Sequence, residues 1–126
     1  TLTRGNEFAG SIFYVAPEQI LHFRQAGPAA DIFSLGVTLY ELLTAKLPFD
    51  FPTEFERLKA GASGGKTRDP LLIVLEDPVI PVRQRDPHLV PALAAIVDRA
   101  IARDPAARFA SATAFKAALE EVSRAL

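Results

Sequence analysis

The stretch GSIFYVAPEQ, residues 10–19, carries side chains whose types and spacing suggest chemistry. It holds the hydroxyls of Ser11 and Tyr14 and the carboxylate of Glu18, and it contains no histidine, cysteine or lysine. Without such a partner these groups perform no reaction alone. We therefore expect the stretch to form a surface that positions another molecule.

The stretch GASGGKT, residues 61–67, suggests phosphate binding by a glycine-rich loop. The pattern G-x-x-x-x-G-K-[ST] requires glycine at position 60, where this chain has Ala60. The stretch also follows a predicted short helix, whereas the phosphate-binding loop follows a strand. We therefore predict a flexible connector here and no nucleotide site.

Composition argues against metal, disulfide and nucleic-acid chemistry. The chain of 126 residues has no cysteine, and its two histidines, His22 and His88, are predicted to be solvated loop residues. A net charge of −1 offers no basic field for nucleic acid or anionic lipid. No run approaches the roughly 20 apolar residues of a membrane-spanning helix. We expect a cytoplasmic domain with no membrane segment.

These groups must be positioned by helices, of which the strongest is predicted over residues 31–43. Its polar residues Asp31, Ser34, Thr38 and Glu41 form a narrow stripe, and the remaining positions are apolar. Such a helix requires protein around most of its circumference. Before it, residues 1–30 are predicted to be an extended or looped leader, within which Pro17 is suited to begin a short helix.

Further helices are predicted after the central one. Thr53 and Glu56 form a capping box that starts a helix ending at Gly61. Asp69 and Pro70 precede the apolar run LLIVL, for which we favour a helix and leave a strand as the alternative.

Two amphipathic helices, over residues 89–102 and from the Ser111 cap to residue 126, close the chain. The fold class is therefore mainly α, in one domain without internal repeats.

With these elements in place, the sequence resembles the second half of the large helical lobe of a protein kinase, most closely the bacterial serine/threonine kinases. Residues 10–14 resemble the substrate-facing end of the activation segment, and residues 16–18 form its A-P-E motif. Residues 31–49 resemble the central helix of that lobe, and DPAARF, residues 104–109, resembles its closing segment. The resemblance implies that residues 1–126 are part of a protein kinase domain, which is α+β when complete.

The resemblance also implies roles for individual residues. The positions that receive the acceptor peptide are Ser11, Ile12, Phe13 and Tyr14. Ser11 stands where such kinases usually have threonine, and it retains the hydroxyl that contacts the catalytic aspartate and lysine.

Three charged residues have scaffold roles by the same resemblance. Glu18 pairs with an arginine of the closing segment, here Arg108, and the alternative is two separate surface charges. Asp31 resembles the aspartate that holds the backbone of the catalytic loop, while an acid offsetting the helix dipole is the plainer interpretation.

Thr1 and Thr3 lie where activation-loop phosphorylation occurs in such kinases. A phosphate there would add a charge of about −1.5 to −2, able to order the loop on arginines. An unmodified polar loop is the alternative for either threonine.

The motifs that perform phosphoryl transfer are missing from the 126 residues. There is no G-x-G-x-x-G, no V-A-I-K, no H-R-D and no D-F-G. The stretch Asp31-Ile32-Phe33 is not a displaced D-F-G, because it lies inside a predicted helix and after the A-P-E motif. The resemblance implies Mg-ATP as cofactor of the complete kinase, with no catalytic residue, cofactor or metal site in this segment. We expect this chain alone to be inactive.

The partners implied are a protein substrate and the N-terminal half of the kinase domain. A different class of function stays open: a non-catalytic, pseudokinase-like interaction module, or a truncated gene product. Such a module would use the exposed part of the central helix and residues 53–59.

Overall fold

The structure is a computed structural model that describes residues 12–22 and 27–126. Within these ranges it consists of helices and connecting turns without a strand, which confirms the mainly α prediction. The helices are α1 (Pro17–Leu21), α2 (Pro28–Thr44), α3 (Glu54–Ala62), α4 (Pro70–Glu76), α5 (Val82–Arg85), α6 (Pro91–Ala100) and α7 (Ala112–Ala125). A short 3₁₀ helix, Pro105–Ala107, lies between α6 and α7.

The central helix α2 is longer at its start than the sequence predicted. It begins at Pro28, so the prediction that the leader continues to residue 30 was wrong. Proline suits the first helical position because its φ is already helical and its missing N–H would have had no partner there. The helix ends where Ala45 adopts a left-handed conformation with φ of 59°.

The core forms around the buried face of α2. Phe33, Val37 and Tyr40 are fully buried, and α6 packs closely against them. Gly36 makes this approach possible, since a Cβ there would lie 2.7 Å from a side-chain carbon of Ile101. The central position predicted for α2 follows from this packing.

The opposite side of α2 is open among the described residues. Leu35 is 53% exposed and Leu42 is 78% exposed. They line a shallow apolar groove of about 290 Å³ together with Phe115 and Leu119 of α7. The expectation that protein surrounds most of α2 is therefore met only in part by the described residues.

The two helices after α2 begin at side-chain caps. Thr53 accepts a hydrogen bond from the backbone N–H of Glu56 at 3.1 Å, which confirms the predicted capping box, and α3 extends one residue beyond Gly61. The Asp69 carboxylate accepts from the N–H of Leu71 at 2.9 Å and starts α4. The apolar run after Pro70 is therefore a helix, and the strand alternative was wrong.

The later helices differ from the prediction mainly in their bounds. The four-residue helix α5 was not predicted. Helix α6 is shorter at both ends than the predicted 89–102. Pro91 occupies its first position, and the helix ends at Ala100. Ser111 caps α7 as predicted, accepting from the N–H of Ala114 at 3.0 Å.

Histidines, possible metal ligands and possible membrane spans can each be described for residues 12–22 and 27–126. Neither His22 nor His88 is buried, and no group of three or more histidines, aspartates or glutamates is placed to hold a metal ion. In the same ranges, no helix combines the length and apolar character needed to cross a membrane.

Candidate functional site

Part of the predicted acceptor surface lies in the described residues. Ser11, Thr1 and Thr3 fall outside them, so those predictions remain predictions. Ile12, Phe13 and Tyr14 are all partly buried and precede α1. What can be described of the site is therefore how residues 12–14 are held.

Tyr14 is fastened to α2 at two points. Its backbone carbonyl accepts a hydrogen bond from the Ser34 hydroxyl at 2.7 Å, and its own hydroxyl donates to Glu41 Oε1 at 2.5 Å. Ser34 and Glu41 are seven residues apart, which is about two helical turns, so both face the same side of α2. One helix face thereby fixes both the backbone and the ring of Tyr14.

The surroundings of the Tyr14 hydroxyl favour its protonated form, which can donate a hydrogen bond. The hydrogen bond to the Glu41 carboxylate, followed by burial and the negative charge of that carboxylate, raises the pKa of Tyr14 above its usual value. The phenol therefore stays protonated at neutral pH and remains able to donate.

Phe13 is held from the other side by the loop that follows α2. Its ring meets the Phe51 ring edge-on, with centroids 4.8 Å apart and planes at 62°. Phe51 in turn meets Phe49, a buried core residue, at 6.0 Å. Aromatic pairs of this geometry contribute about 0.5–1.5 kcal/mol beyond burial. The row of rings connects residues 12–14 to the core.

Glu18, in α1, forms a bidentate ion pair with Arg108. The two guanidinium nitrogens donate to the two carboxylate oxygens at 2.6 and 2.9 Å. The Arg108 side chain is fully buried and that of Glu18 is 24% exposed. The pair joins two segments 90 residues apart, so it ties α1 to the closing segment.

Arg108 uses its remaining N–H groups on the backbone. They donate to the carbonyls of Ala29 at 2.9 Å, Ala102 at 2.7 Å and Arg103 at 3.3 Å. Arginine has five N–H donors, and these contacts together with Glu18 supply an acceptor for each. Its guanidinium also lies over the Phe33 ring, 4.9 Å from the centroid. A buried cation is tolerated here because it is completely hydrogen-bonded.

Two effects oppose each other at Glu18. Burial alone would raise the pKa of the carboxyl, but the hydrogen bond from Arg108, that from its own backbone N–H and the nearby positive charge together lower it below the usual value. Glu18 is therefore ionised at neutral pH, as the ion pair requires.

Asp31, the third predicted scaffold residue, is exposed in the first turn of α2. An acid there is favourably placed relative to the helix dipole, a contribution of about 0.3–1 kcal/mol. A role in holding the catalytic loop remains a prediction from the resemblance.

Four residues with long-range hydrogen bonds were not singled out by the sequence, and two of them, Ser34 and Glu41, hold Tyr14. Ser34 and Glu41 had been assigned only to the polar stripe of α2, although that stripe marks the face on which residues 12–14 lie. Arg103 donates to the carbonyls of Val74 and Asp77 at 2.8 Å each, and Arg85 donates to that of Leu47 at 2.8 Å. No spacing rule identifies such arginine contacts to distant carbonyls.

The described residues do not fit Mg-ATP. Residues 61 and 62 are the last two residues of helix α3 and residues 63–67 follow it, so no strand precedes this stretch; the position that needs glycine is Ala60, which lies within α3. The described ranges also offer no cluster of carboxylates for magnesium.

The comparisons with known proteins agree with the motifs. The protein kinase domain model matches residues 2–119. Serine/threonine-protein kinase pkn3 of Myxococcus xanthus is 36% identical over 124 residues, which are 98% of this chain and 20% of pkn3. Tyrosine-protein kinase MasK of the same species is 36% identical over 118 residues, 94% of this chain and 16% of MasK.

Among solved structures, a crystal structure of the Rad53 kinase domain and SCD2 in complex with AMPPNP matches with a TM-score of 0.47 and 24% identity, over 86% of this chain and 36% of that one. The chain spans 20% of the length of pkn3 and 16% of MasK. The match of the family model to most of the chain leads to one conclusion: the chain belongs to the protein kinase family.

Proposed function

We propose that this chain is the substrate-docking and scaffold portion of a kinase domain that transfers the γ-phosphate of ATP to serine or threonine of proteins. The observation that carries the proposal is the double fastening of Tyr14 to α2, with the Phe13 ring seated on Phe51. This arrangement holds residues 12–14 in one fixed geometry. A surface that receives an acceptor peptide benefits from such preorganisation, because less ordering is needed on binding.

The preference for serine and threonine is supported by the hydroxyl of Ser11 and by the name of one relative, while the name of another points to tyrosine. Ser11 retains a hydroxyl at the position that the serine/threonine branch usually fills with threonine. The relative pkn3 is named a serine/threonine-protein kinase, whereas MasK is named a tyrosine-protein kinase. The experiment must therefore identify whether the phosphorylated residue is serine, threonine or tyrosine.

Nucleotide and magnesium belong, in this proposal, to residues outside the 126. Because the described residues do not fit Mg-ATP, we assign no catalytic step to them. Their part is to bind and orient the acceptor and to hold the scaffold in place.

The rest of the kinase domain is the proposed partner for the open side of α2. Leu35 and Leu42 are exposed there, and the groove they share with α7 is almost entirely apolar. Covering a large apolar side chain contributes about 1.5–3 kcal/mol. Such an apolar face on a central helix suits packing against another part of the same domain.

The proposal is tested with the full-length gene product. It should transfer ³²P from γ-labelled ATP to a peptide library in which every member carries one serine, threonine or tyrosine. Phosphoamino-acid analysis should find label on serine and threonine. Replacement of Glu41 by alanine should raise the KM for peptide more than it changes the KM for ATP, because Glu41 fastens Tyr14.

Label on tyrosine alone would overturn the serine/threonine assignment. Peptide binding without any transfer would overturn the kinase proposal and favour the alternative, a non-catalytic interaction module. Replacement of Glu120 by alanine is the matched control, because this glutamate is exposed on α7 and should leave both KM values unchanged.

A further inference from the structure

The loop between α2 and α3 carries the ring on which Phe13 is seated, yet it has no regular structure of its own. Residues 46–52 form neither a helix nor a strand. Within them, Phe51 meets the Phe13 ring edge-on, with centroids 4.8 Å apart. The backbone polar groups of an irregular loop must find hydrogen-bond partners elsewhere when they are removed from water. The position of Phe13 therefore depends on what holds this loop.

Three consecutive carbonyls of the loop accept hydrogen bonds from one segment, which contains α5. The Arg85 guanidinium donates to the carbonyl of Leu47 through Nη2 at 2.8 Å and through Nε at 3.2 Å, and Nη2 also donates to that of Phe49 at 3.4 Å. The backbone N–H of Ile80 donates to the carbonyl of Pro48 at 2.9 Å. The loop is thus held at three residues in a row, and Arg85 holds two of them.

The segment that supplies these donors is fixed to the core. The hydroxyl of Tyr40 donates to the carbonyl of Ile80 at 2.8 Å, and the Asp98 carboxylate accepts from the N–H of Val82 at 2.9 Å. Tyr40 and Val82 are fully buried. The side chain of Arg85 itself is only 16% exposed. The contacts of Arg85 therefore connect the loop to α2 and α6 rather than to a surface element.

Arginine is suited to this position by its shape. Its planar fork of N–H groups can reach two carbonyls at once, whereas the ammonium of lysine is a single point charge. Arg85 also pairs with Asp50 at 2.9 Å, but that carboxylate is 78% exposed, and exposed ion pairs contribute little. The contacts to the carbonyls are therefore what Arg85 adds to the loop.

We propose that Arg85 is a positioning residue for the acceptor surface: it fixes the loop that carries Phe51, and through that ring it fixes Phe13. This inference rests on the proposed function, and it assigns to Arg85 no contact with the acceptor. Without the guanidinium, two of the three held carbonyls lose their donor. The Phe51 ring then gains freedom that must be lost again when a peptide binds.

The test is steady-state kinetics of the full-length gene product with a serine peptide that the wild type phosphorylates. Arg85→Ala should raise the KM for peptide by about three- to tenfold, the range expected when binding must also order a side chain. The KM for ATP and kcat should change by less than about twofold, because only binding of the acceptor is weakened. Arg85→Lys should recover part of the loss, since an ammonium can still reach one carbonyl.

Arg103→Ala is the matched control for a general loss of stability. Arg103 also donates to three backbone carbonyls, those of Val74, Leu75 and Asp77, and none of them lies in the loop. Its replacement should lower the thermal unfolding midpoint, as Arg85→Ala does, and leave the KM for peptide as in the wild type.

A double-mutant cycle separates positioning from a loss of stability alone. Phe51→Leu removes the ring contact to Phe13 and keeps an apolar side chain. In that background, Arg85→Ala should change the KM for peptide by less than about twofold, because the ring that it positions is absent. Equal fold-changes in the two backgrounds would overturn the inference, and so would an Arg85→Ala effect no larger than that of Arg103→Ala.

A second readout does not depend on phosphate transfer. Fluorine NMR of the full-length product with 4-fluorophenylalanine at position 13 should give one resonance, which shifts in Arg85→Ala and keeps its position in Arg103→Ala. An unchanged resonance in Arg85→Ala would overturn the positioning role in an active kinase as well. If the wild type transfers no phosphate, the proposed function fails, and the NMR result alone decides whether Arg85 holds Phe13.

Discussion

Removal of the Glu18 carboxylate is the most direct test of the tie between α1 and the closing segment. Replacing Glu18 by alanine leaves Arg108 with its full charge, at a side chain that is 0% exposed. Breaking a buried ion pair in this way costs about 3–5 kcal/mol. Arg108 retains three backbone carbonyls and Glu18 is 24% exposed, so we expect the lower end, about 3 kcal/mol.

Glutamine at position 18 should be less damaging. The amide oxygen of glutamine can still accept a hydrogen bond from one guanidinium nitrogen of Arg108, but the negative charge and the bidentate geometry are lost. We expect a loss of about 1–2 kcal/mol, comparable to one charge-assisted hydrogen bond.

The assay is urea unfolding of the chain followed by circular dichroism. The free energy of unfolding of small proteins falls by about 1–3 kcal/mol per molar urea, so a loss of about 3 kcal/mol in Glu18→Ala should lower the urea midpoint by about 1–3 M. The control is Arg68→Ala, which breaks an ion pair with Glu76 and Asp77 in which Arg68 and Glu76 are largely exposed. That change should move the midpoint little, because solvent screens exposed pairs. Equal shifts for the two variants would refute the reasoning.

A pH series gives an independent check on the same pair. Because the folded-state pKa of Glu18 is lowered, its contribution is fully present above the ordinary carboxyl pKa of about 4.3 and is lost as the pH falls through the lowered value. The difference in unfolding free energy between wild type and Glu18→Gln should therefore shrink below about pH 4. A difference that is constant down to about pH 2 would contradict an ionised pair.

Three other changes have defined outcomes. Gly36→Ala should destabilise by about 1–3 kcal/mol because its Cβ would lie 2.7 Å from the side chain of Ile101, which directly follows α6. Gly61→Ala, with nothing within 4 Å, should not destabilise, and thermal unfolding compares the two variants. Asp69→Ala should lower the free energy of unfolding by about 1 kcal/mol and speed hydrogen exchange at the N–H of Leu71, because the Asp69 carboxylate accepts from that N–H in the wild type. Unchanged exchange would argue against the cap. Leu42→Glu should reduce self-association of the isolated chain in sedimentation velocity, since that side chain is 78% exposed, and equal association would show that this face is not responsible.

The fold was predictable wherever a local rule fixes the outcome. The capping box at Thr53 and the Ser111 cap give helix starts because their hydrogen bonds join residues three apart. The start of α2 was missed because residues up to 30 were assigned to the leader, although Pro28 favours the first helical position. Helix α5 has four residues and no periodic pattern long enough to detect.

The site was predictable to a smaller extent. The pairing of Glu18 with Arg108 came from the resemblance to kinases, because no local pattern relates residues 90 apart. The stripe containing Ser34 and Glu41 was visible as a helix face, but its partner Tyr14 could not be inferred from periodicity. Arginines that donate to backbone carbonyls, such as Arg103, leave no sequence signal because any residue supplies a carbonyl.

The span between Glu18 and Arg108 has a consequence for biosynthesis. Ribosomes add about 5–20 residues per second, so α1 is made about 5–20 seconds before the arginine that ties it down. During that interval the predicted acceptor surface lacks its anchor. The segment that contains Arg108 therefore determines when α1 gains this anchor, and a product ending before residue 108 would lack it.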